Sequence, residues 1–283
     1  MPRIIRPYLV FVLLFTVVTA ASPLFERGVD LKELSTPFGR TEQLAYEGEF
    51  SKALLRGVDI AELRFAAELK SGEAESPAVI SYKSEVVSKG LLLKLFGVSF
   101  RQLLETKVDA FSNSLLADNK LDEQGKRKRA SETVVDPEKK MLTWTERNPN
   151  DPQASPRVVT IPVPGSVQNL ASAIYYIRTQ DLQPGYTFEV KVVESGRLVN
   201  VPVRVFERKR MKTVVGNVQT VRVEPGLFGE SGLIRGKGAI SIWFTDDKRH
   251  VPVKAHIRND LGSVVIKLKS RSSPDNPPKI ENQ

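Results

Sequence analysis

The sequence predicts an all-β protein, mainly antiparallel, built as a strongly curved sheet or incomplete β-barrel with one or two short helices. Three observations carry that expectation. Short apolar or alternating runs separated by turn-rich stretches recur from Leu44 to Lys269, the rhythm of an antiparallel meander. The clearest helix is a single segment, SVQNLASAIYYIR (166–178), whose Val167, Leu170, Ala171, Ile174, Tyr175 and Ile177 form one broad apolar face. A chain of 283 residues, 41% hydrophobic and without cysteine, must hold its fold by burial alone, and it is long enough to do so.

From the N-terminus, Arg3 and Arg6 precede an apolar run from Tyr8 to Val18 and small residues at 19–22. That is the layout of a secretory signal peptide over residues 1–20. An uncleaved anchor fits less well, because the run is shorter than the ~20 residues that span a bilayer. Residues 21–43 read as a polar leader, 44–269 as one β-rich domain and 270–283 (SRSSPDNPPKIENQ) as a disordered tail. The expected location is outside the cytoplasmic membrane: periplasmic where there is an outer membrane, extracellular otherwise. Absence of cysteine excludes disulfides, thiol catalysis and lipid attachment through cysteine.

Within the domain, Leu44, Tyr46, Gly48 and Phe50 alternate with polar neighbours, as in a half-buried strand. DIAELRFAAELK (59–70) has helix-favouring composition, but its apolar residues fall on every second position, so it reads as strand. Runs at 78–87, 90–98, 107–117, 131–136, 140–146 and 157–163 continue the meander, and SFRQLLE (99–105) reads as a helical turn or two. Pro164 and Gly165 end the preceding strand, and Ser166 is positioned to cap the helix. Strands resume at 186–194, 197–208, 213–225, 239–244, 250–258 and 263–269. Pro202 and Pro252 lack an amide donor, which places their strands at an edge or turns that position away from a neighbour.

The densest group of titratable side chains is IWFTDDKRHVPVKAHI (242–257). Alternation sets Val251, Val253, Ala255 and Ile257 on one face and the charged residues on the other, and TDDKR has the composition of a turn. Asp246, Asp247, His250 and His256 are therefore expected around a bend, and no catalytic residue is assigned. The chain has two histidines and its carboxylates show no recognisable ligand spacing, so neither a metal site nor a cofactor is assigned, although carboxylates alone leave calcium open. GLFGESGLIRGKGAIS (226–241) reads as a flexible hairpin loop, lacking the ending of a phosphate-binding loop. GKRKR (125–129) reads as a solvated loop, worth about 4 kcal/mol at most on an anionic membrane, which amounts to millimolar binding. The formal charge is +9, yet no basic strip with interleaved aromatics supports nucleic acid as a partner. Arg178 either complements the helix C-terminus or points into a concavity, where it would hold an anionic head group or a buried carboxylate.

Three stretches, LAYEGEF, SVQNLASAIYYIR and IWFTDDKRHVPVKAHI, resemble a widespread family of exported bacterial proteins described as a domain of unknown function. The family's helix ending is matched by Ser172, Ala173, Tyr175, Tyr176 and Arg178, and its late motif by Trp243, Asp246, Pro252, Val253 and Lys254. Asn169 stands where the family pattern carries an aspartate. The resemblance implies an exported all-β domain and brings no known catalysis. In architecture alone, such a curved sheet is also similar to the half-barrels of periplasmic lipoprotein and lipid carriers.

Together these readings predict a non-enzymatic envelope protein that binds or carries an apolar or amphipathic component, a lipid or lipoprotein among its candidates. Leu170, Ile174, Tyr175, Arg178 and Trp243 are the expected lining of its cleft. Two alternatives stand beside it: an assembly module that recognises an envelope protein through a strand edge, and a hydrolase of envelope polymers using Asp246 or Asp247 with His250. Peripheral membrane contact is compatible with the first two.

Overall fold

The computed structural model describes residues 36–72, 78–90, 97 and 99–273. Eight strands come first: β1 Thr41–Lys52, β2 Leu55–Lys70, β3 Val79–Ser88, β4 Phe100–Asp109, β5 Leu115–Gln124, β6 Arg127–Asp136, β7 Met141–Arg147 and β8 Arg157–Pro162. Helix α1, Leu170–Arg178, follows, and then β9 Thr187–Glu194, β10 Arg197–Thr213, β11 Gly216–Pro225, β12 Gly238–Thr245, β13 Pro252–Asn259 and β14 Gly262–Ser272. All belong to one antiparallel sheet in the order β8-β7-β6-β5-β4-β3-β2-β1-β14-β13-β12-β11-β10-β9. The first and last strands thus pair in the middle of the sheet, and its two edges are β8 and β9.

Strand twist accumulates from neighbour to neighbour, so a sheet of this width curls. Here it curls until its ends overlap. One face of β9 and β10 carries Val190, Val192, Val201 and Val203 into the interior, where Ala173 and Ile177 of α1 meet them. The opposite face carries Val193 and Leu198 against Leu142, Trp144, Val159 and Ile161 of β7 and β8. Closure therefore comes from apolar side chains stacked between two layers, with no ladder joining β8 to β9. The β9–β10 turn lies so close beneath β8 that a Cβ on Gly196, whose φ is +70°, would stand 2.9 Å from the Cβ of Val159.

The link from β8 to α1 satisfies the free edge of β9. Gln168 donates its backbone N–H to Lys191 O at 2.8 Å and accepts from Val193 N at 2.7 Å, while Val167 O accepts from Leu115 N at 2.9 Å. Backbone groups that would otherwise be orphaned inside the overlap are paired by this short segment. The chain then enters the interior as α1. Its N-cap is Asn169, in extended conformation, whose side chain accepts from Ser172 N while the Ser172 hydroxyl receives the Asn169 N–H, a reciprocal capping box. Ser166, the expected cap, lies three residues too early because the backbones of Val167 and Gln168 are taken up in pairing with Leu115 of β5 and with the edge strand β9.

Other expectations are corrected by the same packing. SFRQLLE is strand, not helix: Leu104, Thr106 and Val108 are the buried alternate positions of β4. The run 107–117 is two strands, turned at Asp109, whose carboxylate accepts from Phe111 N and Ser112 N. GKRKR is not a loop throughout, since Arg127–Arg129 open β6 after a tight turn. Both ends of the fold extend past residues 44 and 269: Phe38, Glu42 and Arg271 are buried. Pro202 is not on an edge strand, because β10 is flanked by β9 and β11; it sits where the β11 ladder ends, its carbonyl accepting from Gly226 N. Pro252 opens β13, where a missing donor is tolerated. The expected signal peptide, most of the run 90–98 and the end of the tail lie outside the described residues. Among the described residues no helix is long and apolar enough to cross a membrane.

Candidate functional site

Helix α1 crosses the concave side of the sheet and leaves a cavity of about 240 Å³ between itself and β1, β2 and β9–β14. Leu170, Ala173, Ile174, Tyr175 and Ile177 line it from the helix; Leu44, Leu63, Phe65, Val201, Ile242, Ala255 and Ile266 are among the sheet residues facing them. The arrangement follows from two periodicities that meet: alternate positions of each strand and the i, i+3, i+4 positions of the helix turn toward one volume. Tyr46, Tyr175 and Lys254 are the hydrogen-bonding side chains in this lining. The Tyr46 hydroxyl donates to Pro252 O at 2.8 Å. The Lys254 ammonium lies 5.0 Å from the centroid of the Trp243 ring.

Three of the five expected lining residues, Leu170, Ile174 and Tyr175, are therefore brought together at one cavity. Trp243 is not among them: it alternates with Ile242, which does line the cavity, and so projects from the opposite face of β12. Arg178 is also absent from the lining. Its guanidinium, with a side chain at 0% exposure, is clamped by Glu42, Nη1 to Oε2 at 2.6 Å and Nη2 to Oε1 at 3.2 Å, and Nε donates to Arg249 O at 3.0 Å. Arg271 Nε donates to the same Glu42 carboxylate at 2.9 Å. Of the alternatives open for Arg178, its partner is a buried carboxylate from β1.

This charged cluster and an aromatic group together fix the far end of α1. Tyr175 stacks on Tyr82 with centroids 4.2 Å apart, meets the edge of Phe38 at 5.7 Å and lies 5.1 Å from the Arg178 guanidinium. Burial pushes the Tyr46, Tyr82 and Tyr175 phenols up, so all three remain protonated donors. The near end is fixed by Asn169, whose Nδ2 donates to Thr106 Oγ1 at 2.7 Å and to Asp118 Oδ2 at 3.0 Å. An aspartate at this position would face the Asp118 carboxylate, which accounts for the amide here.

Asp118 gives a stability prediction. Burial raises its pKa, against hydrogen bonds from Asn169 and Thr133 that lower it. The folded state therefore binds a proton more tightly than the unfolded chain, and stability falls as pH rises above the ordinary carboxylate value of about 3.9. Asp118→Asn keeps an acceptor for Asn169 and removes the buried charge. Urea unfolding at neutral pH is expected to find the variant more stable by on the order of 1 kcal/mol, with the difference vanishing near pH 3; a variant less stable at neutral pH contradicts this.

The bend at 245–250 does not assemble a reacting pair. Asp246 Oδ2 accepts from Arg208 Nε at 2.7 Å. Asp247 accepts from Thr245 Oγ1 at 2.8 Å and from Arg249 Nη2 at 2.9 Å; burial works against ionisation there, but these donors hold its carboxyl below the usual range. His250, at φ +42°, sets Nδ1 2.8 Å from Arg178 O, locking the bend to the end of α1. His256 pairs with Ser241 on the neighbouring strand, away from His250. Among the described residues no group of three or more histidines, cysteines or carboxylates is placed to hold a metal ion. A wider depression of about 810 Å³ crosses β14 and β1–β5, but Arg64, Lys83 and Glu105 in its lining are solvent-exposed and ion-paired.

Glu42 and Arg271 were outside the expected site. Glu42 shares the parity of Leu44 and Tyr46, a signal available once the strand is started at Thr41. Arg271 carries no such signal: Tyr46 faces Leu268 while Ala45 faces Ser270, so Lys269 is an extra residue whose bulge turns Arg271 inward.

Residues 46–269 match the family model described as Protein of unknown function (DUF3108), and the chain belongs to that family. No curated protein matches the chain. Among solved structures it is similar to a beta-barrel-like protein of domain of unknown function DUF1849 from Brucella abortus, with a TM-score of 0.54 and 10% identity over 84% of this chain and 99% of that one. At that identity the likeness concerns the fold alone.

Proposed function

From membership in a family with no described activity, we propose that this protein is a non-enzymatic binding protein that takes an apolar or amphipathic molecule into the cavity beneath α1. The observation that carries the reading is the lining: aliphatic and aromatic side chains from the helix and eight strands face a volume in which few polar side chains compete. A site of this kind binds by removing apolar surface from water, with each buried methylene worth about 0.8 kcal/mol. Its volume of about 240 Å³ lies below the ~300–1,000 Å³ of sites for drug-sized ligands, so it accepts one hydrocarbon segment and not a whole lipid. The N-terminal sequence extends the proposal to an exported protein whose ligand is an envelope component, a lipid or the acyl part of a lipoprotein.

The test is a calorimetric titration with fatty-acid methyl esters of increasing chain length. Affinity is expected to rise roughly fourfold per methylene until the cavity is filled, and then to level off. Ala255→Leu puts extra bulk into the same space. This variant is expected to bind at least tenfold more weakly while melting no lower than the wild type. Absence of binding by the wild type, or equal binding by the variant, overturns the proposal.

A further inference from the structure

We propose that the cavity recognises a neutral oxygen on its ligand, an ester or similar carbonyl, through the hydroxyl of Tyr175. The inference rests on the binding reading above and specifies its ligand class. Tyr175 is 2% exposed and lies in the lining, and among the described residues its hydroxyl has no hydrogen-bond partner. A buried hydroxyl without a partner has lost its water and gained nothing in return, and such groups are uncommon in native proteins. Here the hydroxyl cannot escape by rotating away. Tyr82 stacks on the ring, Phe38 meets it edge-on and the Arg178 guanidinium lies 5.1 Å from its centroid. The ring is thus held from several sides, and its hydroxyl stays buried and unpartnered on a residue of the cavity wall.

The chemistry of the surroundings selects a neutral acceptor. The neighbouring cation, Arg178, is already committed to Glu42, and Arg271 shares that carboxylate, so neither is offered to a ligand anion. Tyr46, the other phenol of the lining, donates to Pro252 O. Lys254, the cation of the lining, holds its ammonium 5.0 Å from the centroid of the Trp243 ring, its cross-strand partner on the opposite face of the sheet, so a carboxylate entering here would be desolvated without a counter-charge, which is costly. A carbonyl would lose its water and gain one O–H donor in its place.

The experiment compares wild type and Tyr175→Phe, which keeps the ring and its stacking. Each is titrated with a fatty-acid methyl ester and with an n-alkane of matching length, by displacement of a naphthyl dye. The expected result is a loss of about tenfold in ester affinity and no change for the alkane. The carbonyl stretch of the bound ester should also fall at lower wavenumber in the wild type than in the variant. If ester and alkane both bind and the substitution alters neither, or weakens both equally, the hydroxyl is not the recognition group although the cavity still binds. If neither probe binds the wild type, the binding reading itself is overturned, and this inference with it.

Discussion

Glu42→Leu is expected to lower the melting temperature by roughly 6–20 °C, the equivalent of about 3–5 kcal/mol in a chain of this size. The reason lies in the imbalance of the cluster. One carboxylate serves two guanidiniums, Arg178 from the interior helix and Arg271 from β14, and the side chains are 0%, 0% and 4% exposed. Among the described residues that carboxylate is the one counter-charge either guanidinium meets, the other acceptors of Arg178 being backbone carbonyls. Removing it leaves two like charges in a low-dielectric site, and it also frees the end of α1 that roofs the cavity. Thermal unfolding followed by circular dichroism measures the effect; a shift below ~2 °C would show that the ion pairs contribute little. A triple variant in which Glu42 becomes leucine and Arg178 and Arg271 become methionine should regain most of the loss, since an apolar cluster of similar volume avoids the desolvation cost. That recovery separates an uncompensated charge from a simple packing defect.

Trp144→Ala is expected to cost about 3–5 kcal/mol, and its signature should reach across the sheet. Trp144 is 4% exposed and packs with Leu142, Val163, Val167 and Val193, with Arg157 lying 5.5 Å from its ring centroid. These residues come from both ends of the sheet, which no backbone ladder joins. Native-state hydrogen exchange should therefore show faster exchange in β7–β8 and in β9–β10 together. Faster exchange in β7–β8 with β9–β10 unaltered would mean that the overlap does not close the structure.

The sequence reached the meander through parity. In β2 the helix-favouring residues of DIAELRFAAELK lost to the spacing of Ala61, Leu63, Phe65, Ala67 and Leu69, because burial of a strand face outweighs intrinsic propensity. The same counting placed the aspartates of the 242–257 stretch around a bend and set Trp243 and Ile242 on opposite faces, although Trp243 was still expected in the cleft. It failed where inner positions are polar. Strand β5, LLADNKLDEQ, was overlooked because its inner face carries Asp118 and Lys120, whose partners Asn169 and Glu194 lie 51 and 74 residues away.

By itself, then, the sequence determined the class of fold, the helix that enters it and three residues of the cavity, because alternation and helical spacing are local properties of the chain. Only the tertiary structure decided how the sheet closes, which carboxylate Arg178 meets and that Arg271 joins them. Those outcomes depend on twist summed over fourteen strands and on one bulge between β1 and β14, and both arise between segments far apart in the chain.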